Sequence, residues 1–355
     1  MKEFAAQDLR NVAVVGHGDC GKTSLVSAML FDSGMMNRLG KVTSGTTVTD
    51  YEQDEIDRQI SISAALAHLE WDKRKLNLID TPGYGAFIGE AKLSLRVTEG
   101  ALVNICGVAG VEVQTEKVWA FCEEFQLPRI LVVNKLDRER ASFKRAISSI
   151  QERFGRTAIP LQIPVGEEKD FRGVVDLLEM KAFLYEPDES GKMTVGDLPA
   201  ELAVEAKSLR EKLIEMVAES DDALMEIFFD KGELTNKEIS EGIRKAVLKR
   251  KLFPILAASA GMNIGVRQVM DAVVRFLPSP LERGEITGKD PKEDGQILNR
   301  KPVIDEPYSA FVFKTVADPF AGRITFFRVF SGSIHADSGV YNVTRSTNEK
   351  FGSIH

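Results

Sequence analysis

The chain has 355 residues, 43% hydrophobic and 28% charged, with a net charge of −7, an ordinary composition for a soluble protein of two or three domains. No run approaches the ~18 uninterrupted apolar residues of a membrane span, and the start, Met1-Lys2-Glu3-Phe4, carries an acid too early for a secretory signal. The acidic balance argues against coating nucleic acid by charge alone, and three cysteines, Cys20, Cys106 and Cys122, without metal-like spacing make a reduced, cytoplasmic compartment the default.

The first apolar run, Asn11 to Val15, reads as a strand and Ser24 to Leu30 begins a helical pattern. Between them Gly16-His17-Gly18-Asp19-Cys20-Gly21-Lys22-Thr23 fills the phosphate-loop spacing in the strand-turn-helix context that motif requires. Main-chain N–H groups of such a turn, with the helix N-terminus, give a concave positive site for phosphate oxygens. Lys22 adds a point charge and Thr23 a magnesium ligand. This stretch predicts a bound nucleoside triphosphate.

Gly34 to Gln59 is polar and lacks regular periodicity, so it reads as a long loop, either disordered or functional. Ser61 to Leu69 alternates like a strand, with Lys75 to Ile79 as its antiparallel partner and Asp72-Lys73 at the turn. Asp80-Thr81-Pro82-Gly83-Tyr84 follows. An aspartate at a strand end can reach magnesium through water, and Gly83 leaves a main-chain N–H free to approach a γ-phosphate.

Further strands are expected at Ala101 to Cys106 and Ile130 to Val133, and helices at about 21–34, 86–98, 113–125 and 142–155. The alternation predicts an α/β fold: a mostly parallel, doubly wound sheet that binds nucleotide at the carboxyl ends of its strands. Asn134-Lys135-Leu136-Asp137 closes the last of these strands. The Asp137 carboxylate can accept two hydrogen bonds from the N1 and exocyclic amino groups of guanine, a donor pair that adenine lacks. Asn134 can meet the base edge, and the Lys135 stem can lie along the ring.

The phosphate loop with Ser24, Asp80 to Gly83, Asn134 to Asp137 and Ala258-Ser259-Ala260 resemble, in order and spacing, the guanine-nucleotide motifs of translational GTPases. Gly166-Glu167-Glu168, Phe171 to Leu177, Leu209 to Leu213 and Leu277-Pro278-Ser279-Pro280 narrow the resemblance to bacterial elongation factor G and especially its elongation-factor-G-like paralogues, over residues 10 to 355. The resemblance implies a P-loop G domain over 1–280 with an α+β insertion at about 158–252, a linker at 281–303, and the start of a β-barrel second domain over 304–355. Leu161 to Val165, Val174 to Leu178 and Lys181 to Tyr185 read as strands of the insertion, 201–229 and 236–250 as charged helices, and Asp188 to Asp197 as a hairpin loop. Leu252 to Ala257 reads as the last sheet strand and 264–277 as the closing helix. Pro278 to Arg300 reads as linker, and Ala310 to Val316, Ile324 to Phe330 and Val340 to Thr344 as barrel strands with turns at Ala321-Gly322 and Ser331-Gly332. Family members continue through further domains, so a longer protein is the expectation.

By the same resemblance the chain would be a GTP/GDP-binding, magnesium-dependent GTPase of the cytoplasm, stimulated by the ribosome and serving translocation or recycling. It would be monomeric, with no membrane and no DNA partner. Ser259 and Ala260 would complete the base site, and Thr23, Ser61 and Asp80 the magnesium site. Lys22, Gly83 and Tyr84 would be the catalytic set. Three departures from the family stand out. Tyr84 replaces the histidine that orients the attacking water, and a phenol is no readily protonated imidazole at neutral pH. Gly18 replaces an isoleucine, removing a side chain that would wall off that water, and Gln59 replaces a glycine of the first switch. Two functions therefore stay open: a GTPase slow without ribosomes, or a nucleotide-gated ribosome-binding module with little productive turnover.

Overall fold

The structure, a computed structural model, describes residues 3–291, 295–318 and 322–354. The chain divides into two compact units, residues 8–278 and residues 1–7 with 279–355.

The larger unit opens with β1 (Leu9–Gly16), α1 (Lys22–Asp32), α2 (Gln53–Arg58), β2 (Ala65–Trp71), β3 (Arg74–Asp80), α3 (Ile88–Arg96), β4 (Gly100–Cys106), α4 (Val113–Glu124), β5 (Arg129–Asn134) and α5 (Phe143–Phe154). It continues with β6 (Ala158–Pro160), β7 (Gln162–Val165), β8 (Gly173–Asp176), β9 (Lys181–Tyr185), β10 (Met193–Gly196), α6 (Ala203–Glu219), α7 (Asp222–Lys231), α8 (Asn236–Leu248), β11 (Phe253–Ala257) and α9 (Val266–Phe276). A seven-stranded sheet runs in the order β2-β3-β1-β4-β5-β11-β6. The β2–β3 pair is antiparallel and the other pairings are parallel.

Strand β1 shows why helices cover both faces. Val12 and Val14 enter one apolar core with Leu25 and Met29 of α1 and Val269 and Val273 of α9. Ala13 and Val15 enter the other with Leu95 of α3, Val118 of α4 and Ile150 of α5. A strand buried on both sides reads as an unbroken apolar run. Each of its larger side chains contributes about 1.5–3 kcal/mol by leaving water. A second sheet, β10-β9-β8-β7, is antiparallel throughout. Helices α6 and α8 bring Leu213, Val217, Ile239 and Ile243 to the first of the two cores.

In the smaller unit, α10 (Pro280–Arg283) precedes β12 (Ile286–Lys289), β13 (Ile297–Arg300), β14 (Ser309–Asp318), β15 (Gly322–Ser331), β16 (Gly339–Asn342) and β17 (Thr347–Lys350). Among the described residues these strands pair as three antiparallel ladders, β12–β13, β14–β15 and β16–β17.

The parallel sheet and its helices match the expectation to within a few residues, and several short elements depart from it. The stretch Gly34 to Gln59 holds a 3₁₀ turn at Val42–Ser44 and α2, whose Glu52 and Glu55 form a capping box. Its local hydrogen bonds stand in for the missing apolar periodicity. Strand β2 begins at Ala65 rather than Ser61. The 188–197 loop contains β10. The helix expected over 201–229 breaks at Ser220, where Asp221 accepts from the N–H of Leu224 and starts α7. The 278–300 stretch contains a short helix and a hairpin. Of the expected turn Ala321-Gly322, Ala321 lies outside the described residues.

Candidate functional site

The carboxyl ends of β1, β3 and β5 converge with the loop after β11 around a cavity of about 560 Å³, within the size range of small-molecule sites. It is lined by Gly18, Asp19, Gly21, Lys22, Thr23, Ser24, Ser61, Gly83, Tyr84, Lys135, Asp137 and Ala260 from the sequence-derived set. Gly16, His17, Cys20, Asp80, Asn134 and Ser259 do not line it. They hold the lining in place.

The phosphate loop turns through Gly21, which has φ +88° immediately before α1. A side chain there would be strained in backbone terms, and a Cβ would stand 2.6 Å from the Asn134 amide nitrogen. The first main-chain amides of α1 have no carbonyl four residues back within the helix, which suits this end to an anion. Lys22 is buried, and its ammonium donates to the His17 carbonyl at 2.7 Å. His17 turns toward α4. Its Nδ1 accepts from the Gln114 N–H at 3.3 Å and its Nε2 stands 3.5 Å from a Glu112 carboxylate oxygen.

At the base end, the Asp137 carboxylate accepts from the Ser259 hydroxyl at 2.5 Å and lies 3.7 Å from Arg138. Lys135, at φ +62°, reaches Asp19 at 2.7 Å, so its stem runs along the cavity. Asn134 is held by the protein on both ends of its amide. Its Nδ2 donates to the Cys20 and Gly21 carbonyls at 3.1 and 3.2 Å, and its Oδ1 accepts from the Ala260 N–H at 2.9 Å. Both amide hydrogens are spent on protein, so Asn134 is a strut joining three loops.

On the other side of Thr23 lies a cluster of oxygen donors. The Thr23 and Ser61 hydroxyls are 3.0 Å apart, Ser61 donates to Asp50 at 2.7 Å, and Thr49 donates to Asp80 Oδ2 at 2.7 Å. Asp80 Oδ1 is buried without a partner. Burial pushes the Asp80 carboxyl up to about 6, against the Thr49 hydrogen bond, and the nearby Asp50 charge adds to the rise. Burial likewise raises Asp50. Two carboxylates and three hydroxyls with one unmet acceptor form an all-oxygen set suited to a hard cation that keeps waters and phosphate oxygens as its other ligands. A cation there would favour ionised carboxylates. The described residues contain no cluster of three or more histidine, cysteine or acidic groups that could cage a metal by themselves.

Sequence reasoning missed Asp50, Thr49 and Asn104. Asp50 and Thr49 sit in a stretch without periodicity, where nothing marked one polar residue above another. Asn104 did carry a signal: an amide inside the apolar strand β4, fully buried, whose Nδ2 donates to the Cys20 carbonyl at 2.8 Å.

Comparison with known proteins bears on the same residues. The family model "Elongation factor Tu GTP binding domain" matches residues 7–279, and "Elongation factor G domain 2" matches residues 307–355. Among solved structures the chain is similar to the crystal structure of ttk003000868 from Thermus thermophilus, at 29% identity and a TM-score of 0.84. The match covers 98% of this chain and 48% of that one, so this chain spans about half the length of that protein.

Proposed function

Because the chain belongs to the family of translational GTPases that carry the elongation factor Tu GTP-binding domain, we propose that it binds GTP and GDP with magnesium and hydrolyses GTP on the ribosome. The observation that carries this reading is the convergence of Lys22, Thr23, Asp80, Lys135, Asp137 and Ser259 around or behind one cavity. In the finer form of the proposal it acts as an elongation-factor-G-type factor in translocation or recycling. It works as a cytoplasmic monomer, with the G domain over 1–280, its insertion at about 158–252, a linker at 281–303 and the second domain from 304. Among the described residues no helix is long and apolar enough to cross a membrane.

Asp137 selects guanine by accepting from N1–H and the exocyclic amine, and Ser259 holds the carboxylate for that task. Loop amides and the Lys22 ammonium hold the phosphates, where phosphoryl transfer depends on positioning and charge stabilisation more than on covalent steps. Thr23 and Ser61, backed by Asp50 and Asp80, would hold magnesium, which would supply neutralising positive charge to the phosphates. Gly83 offers its N–H to the terminal phosphate, and the Tyr84 hydroxyl can hold a water but is a weaker orienting group than an imidazole. An adenine-directed reading is disfavoured by Asp137.

A second reading rests on Tyr84 itself: a nucleotide-gated module that occupies the ribosome in one nucleotide state with little turnover. Phosphate release from GTP, measured with and without ribosomes, separates the two. A GTPase of the proposed kind turns over below ~10⁻² s⁻¹ alone and faster on ribosomes. No stimulation, with binding retained, selects the module. Fast turnover without ribosomes contradicts both.

A further inference from the structure

Gly18 and Tyr84, two of the departures noted in the sequence, meet in space. A Cβ built on Gly18 would stand 2.9, 3.0 and 3.1 Å from three carbons of the Tyr84 ring. Gly18 is not among the glycines with positive φ, so its backbone does not call for glycine. The space above it does. Tyr84 has an extended backbone, φ −87° and ψ 145°, and is 40% exposed, so one part of the ring rests on the loop and the rest faces outward.

The preceding residue is seated on the same loop. A Cβ on Gly83 would stand 2.3 Å from the Lys22 ammonium, 2.5 Å from the His17 carbonyl oxygen and 2.6 Å from the Gly18 nitrogen. Gly83 therefore lies directly against a cation and beside a main-chain N–H, two of the groups that would otherwise meet a terminal phosphate. Gly85, on the other side, packs on the Gln114 amide, which stands 2.9 Å from a Cβ built there. Gln114 and Gly18 thus flank the seat of this segment.

We propose that the Tyr84 ring, seated on Gly18, latches the segment after β3 onto the phosphate loop and sets the site's preference for nucleoside diphosphate over triphosphate. This deepens the functional reading above and rests on it. A γ-phosphate that takes the Lys22 ammonium and the Gly18 N–H must move Gly83 out of its present seat before the Gly83 N–H can turn toward it, and the chain then carries Tyr84 off Gly18. Whatever apolar contact the ring makes is given up in that exchange, and a diphosphate does not require it. Gly18 acts here as a positioning residue, through Tyr84.

The test is calorimetric titration of the full chain, at saturating magnesium, with GDP and with a non-hydrolysable GTP analogue. The quantity read is the ratio of the two affinities, in which any general loss of binding cancels. Tyr84→Ala shifts the ratio toward the triphosphate by roughly tenfold, the loss of a ring contact worth about 1.4 kcal/mol. Gly18→Ala places a methyl in the ring's seat and produces a shift of the same sign. The double variant shifts no further than either single one, and Tyr84→Phe, which keeps the ring, holds the wild-type ratio. An unchanged ratio in Tyr84→Ala, or shifts that add in the double variant, overturns the latch. A wild-type chain that binds neither nucleotide overturns the nucleotide reading itself, and the latch with it.

Discussion

The Asn134 side-chain amide donates to the Cys20 carbonyl at 3.1 Å across 114 residues of sequence, and the same amide accepts from Ala260. One buried side chain thereby sets the separation between the phosphate end and the base end of the cavity. Asn134→Ala removes both connections. The Cys20 and Gly21 carbonyls keep the bonds from Asn104 Nδ2 and the Leu25 N–H, but the buried Ala260 N–H is left unpaired, a loss of about 1–3 kcal/mol if it finds no water. We expect a lower melting temperature and, at a temperature where the variant is still folded, at least tenfold weaker GDP binding. A variant that melts earlier but binds GDP normally would show that Asn134 holds the fold without holding the site.

Asp137 tests the choice of base. In Asp137→Asn an amide replaces a carboxylate, so one of the two acceptors facing guanine becomes a donor. A hydrogen bond to a charged group is worth about 1.5–3 kcal/mol, and its loss weakens GDP binding from about tenfold to more than a hundredfold. Xanthine carries a carbonyl where guanine has its amine, so xanthosine diphosphate should gain what guanosine diphosphate loses. Competition between the two nucleotides measures this directly, and an unchanged guanine preference would remove Asp137 from the base site.

The sequence exposed the frame of this site because each motif sits at the end of a strand buried on both faces, where an apolar run gives way abruptly to glycine, aspartate or asparagine. Val12 to Val15 before Gly16 and Ile130 to Val133 before Asn134 are such junctions. Asp50 was hidden because neither burial periodicity nor spacing marks it. It reaches the site only through the fold of the 34–63 segment, where local hydrogen bonds and a few scattered apolar contacts leave no periodic trace in the sequence. The pairing of Gly18 with Tyr84 was hidden for a different reason: 66 residues separate them (84 − 18 = 66), and each was legible as a departure but not as the partner of the other.

Asp50 carries a prediction of its own. Its carboxylate accepts from Ser61, whose hydroxyl stands 3.0 Å from that of Thr23. Asp50→Asn keeps an acceptor for Ser61 but removes a charge from the oxygen cluster. The magnesium concentration for half-maximal GTP binding should rise about tenfold, the weight of roughly 1.4 kcal/mol, while binding at saturating magnesium is restored. An unchanged magnesium requirement would place Asp50 outside the cation's surroundings.

The cysteines differ in reactivity. Burial pushes Cys122 up to about 11 and raises Cys20 as well, so at pH 8 both are thiols, and the thiol is the unreactive form. Cys106 is only partly buried. Native protein treated with an alkylating reagent at pH 8 should therefore carry its first label on Cys106, with Cys20 and Cys122 modified only after denaturation. Peptide mass mapping reads the order. The sign of the linkage follows too: the unfolded chain releases the Cys122 proton first, so stability falls as pH rises from about 9 toward about 11.

Glu55 decides whether the segment around Ser61 is ordered by its own contacts. The residue is 2% exposed, and its Oε1 accepts from the Ile62 and Ser63 N–H groups at 2.9 and 3.0 Å while Oε2 accepts from the Glu52 N–H at 3.4 Å. One carboxylate thus closes the start of α2 and pins the strand approach two residues beyond Ser61. Glu55→Ala frees these N–H groups together. Each hydrogen bond to a charged acceptor is worth about 1.5–3 kcal/mol, enough to raise the open population of a local segment at least tenfold even where one of the bonds is replaced by water. Limited proteolysis should then cut within 34–63 at least ten times faster, while the melting temperature, set by the two apolar cores, moves little. Because Ser61 is the hydroxyl beside Thr23, the same variant should need more magnesium for nucleotide binding, and Glu55→Gln, which retains an acceptor oxygen, should fall between. Cleavage at the wild-type rate in Glu55→Ala would mean that the segment is held by something other than this carboxylate.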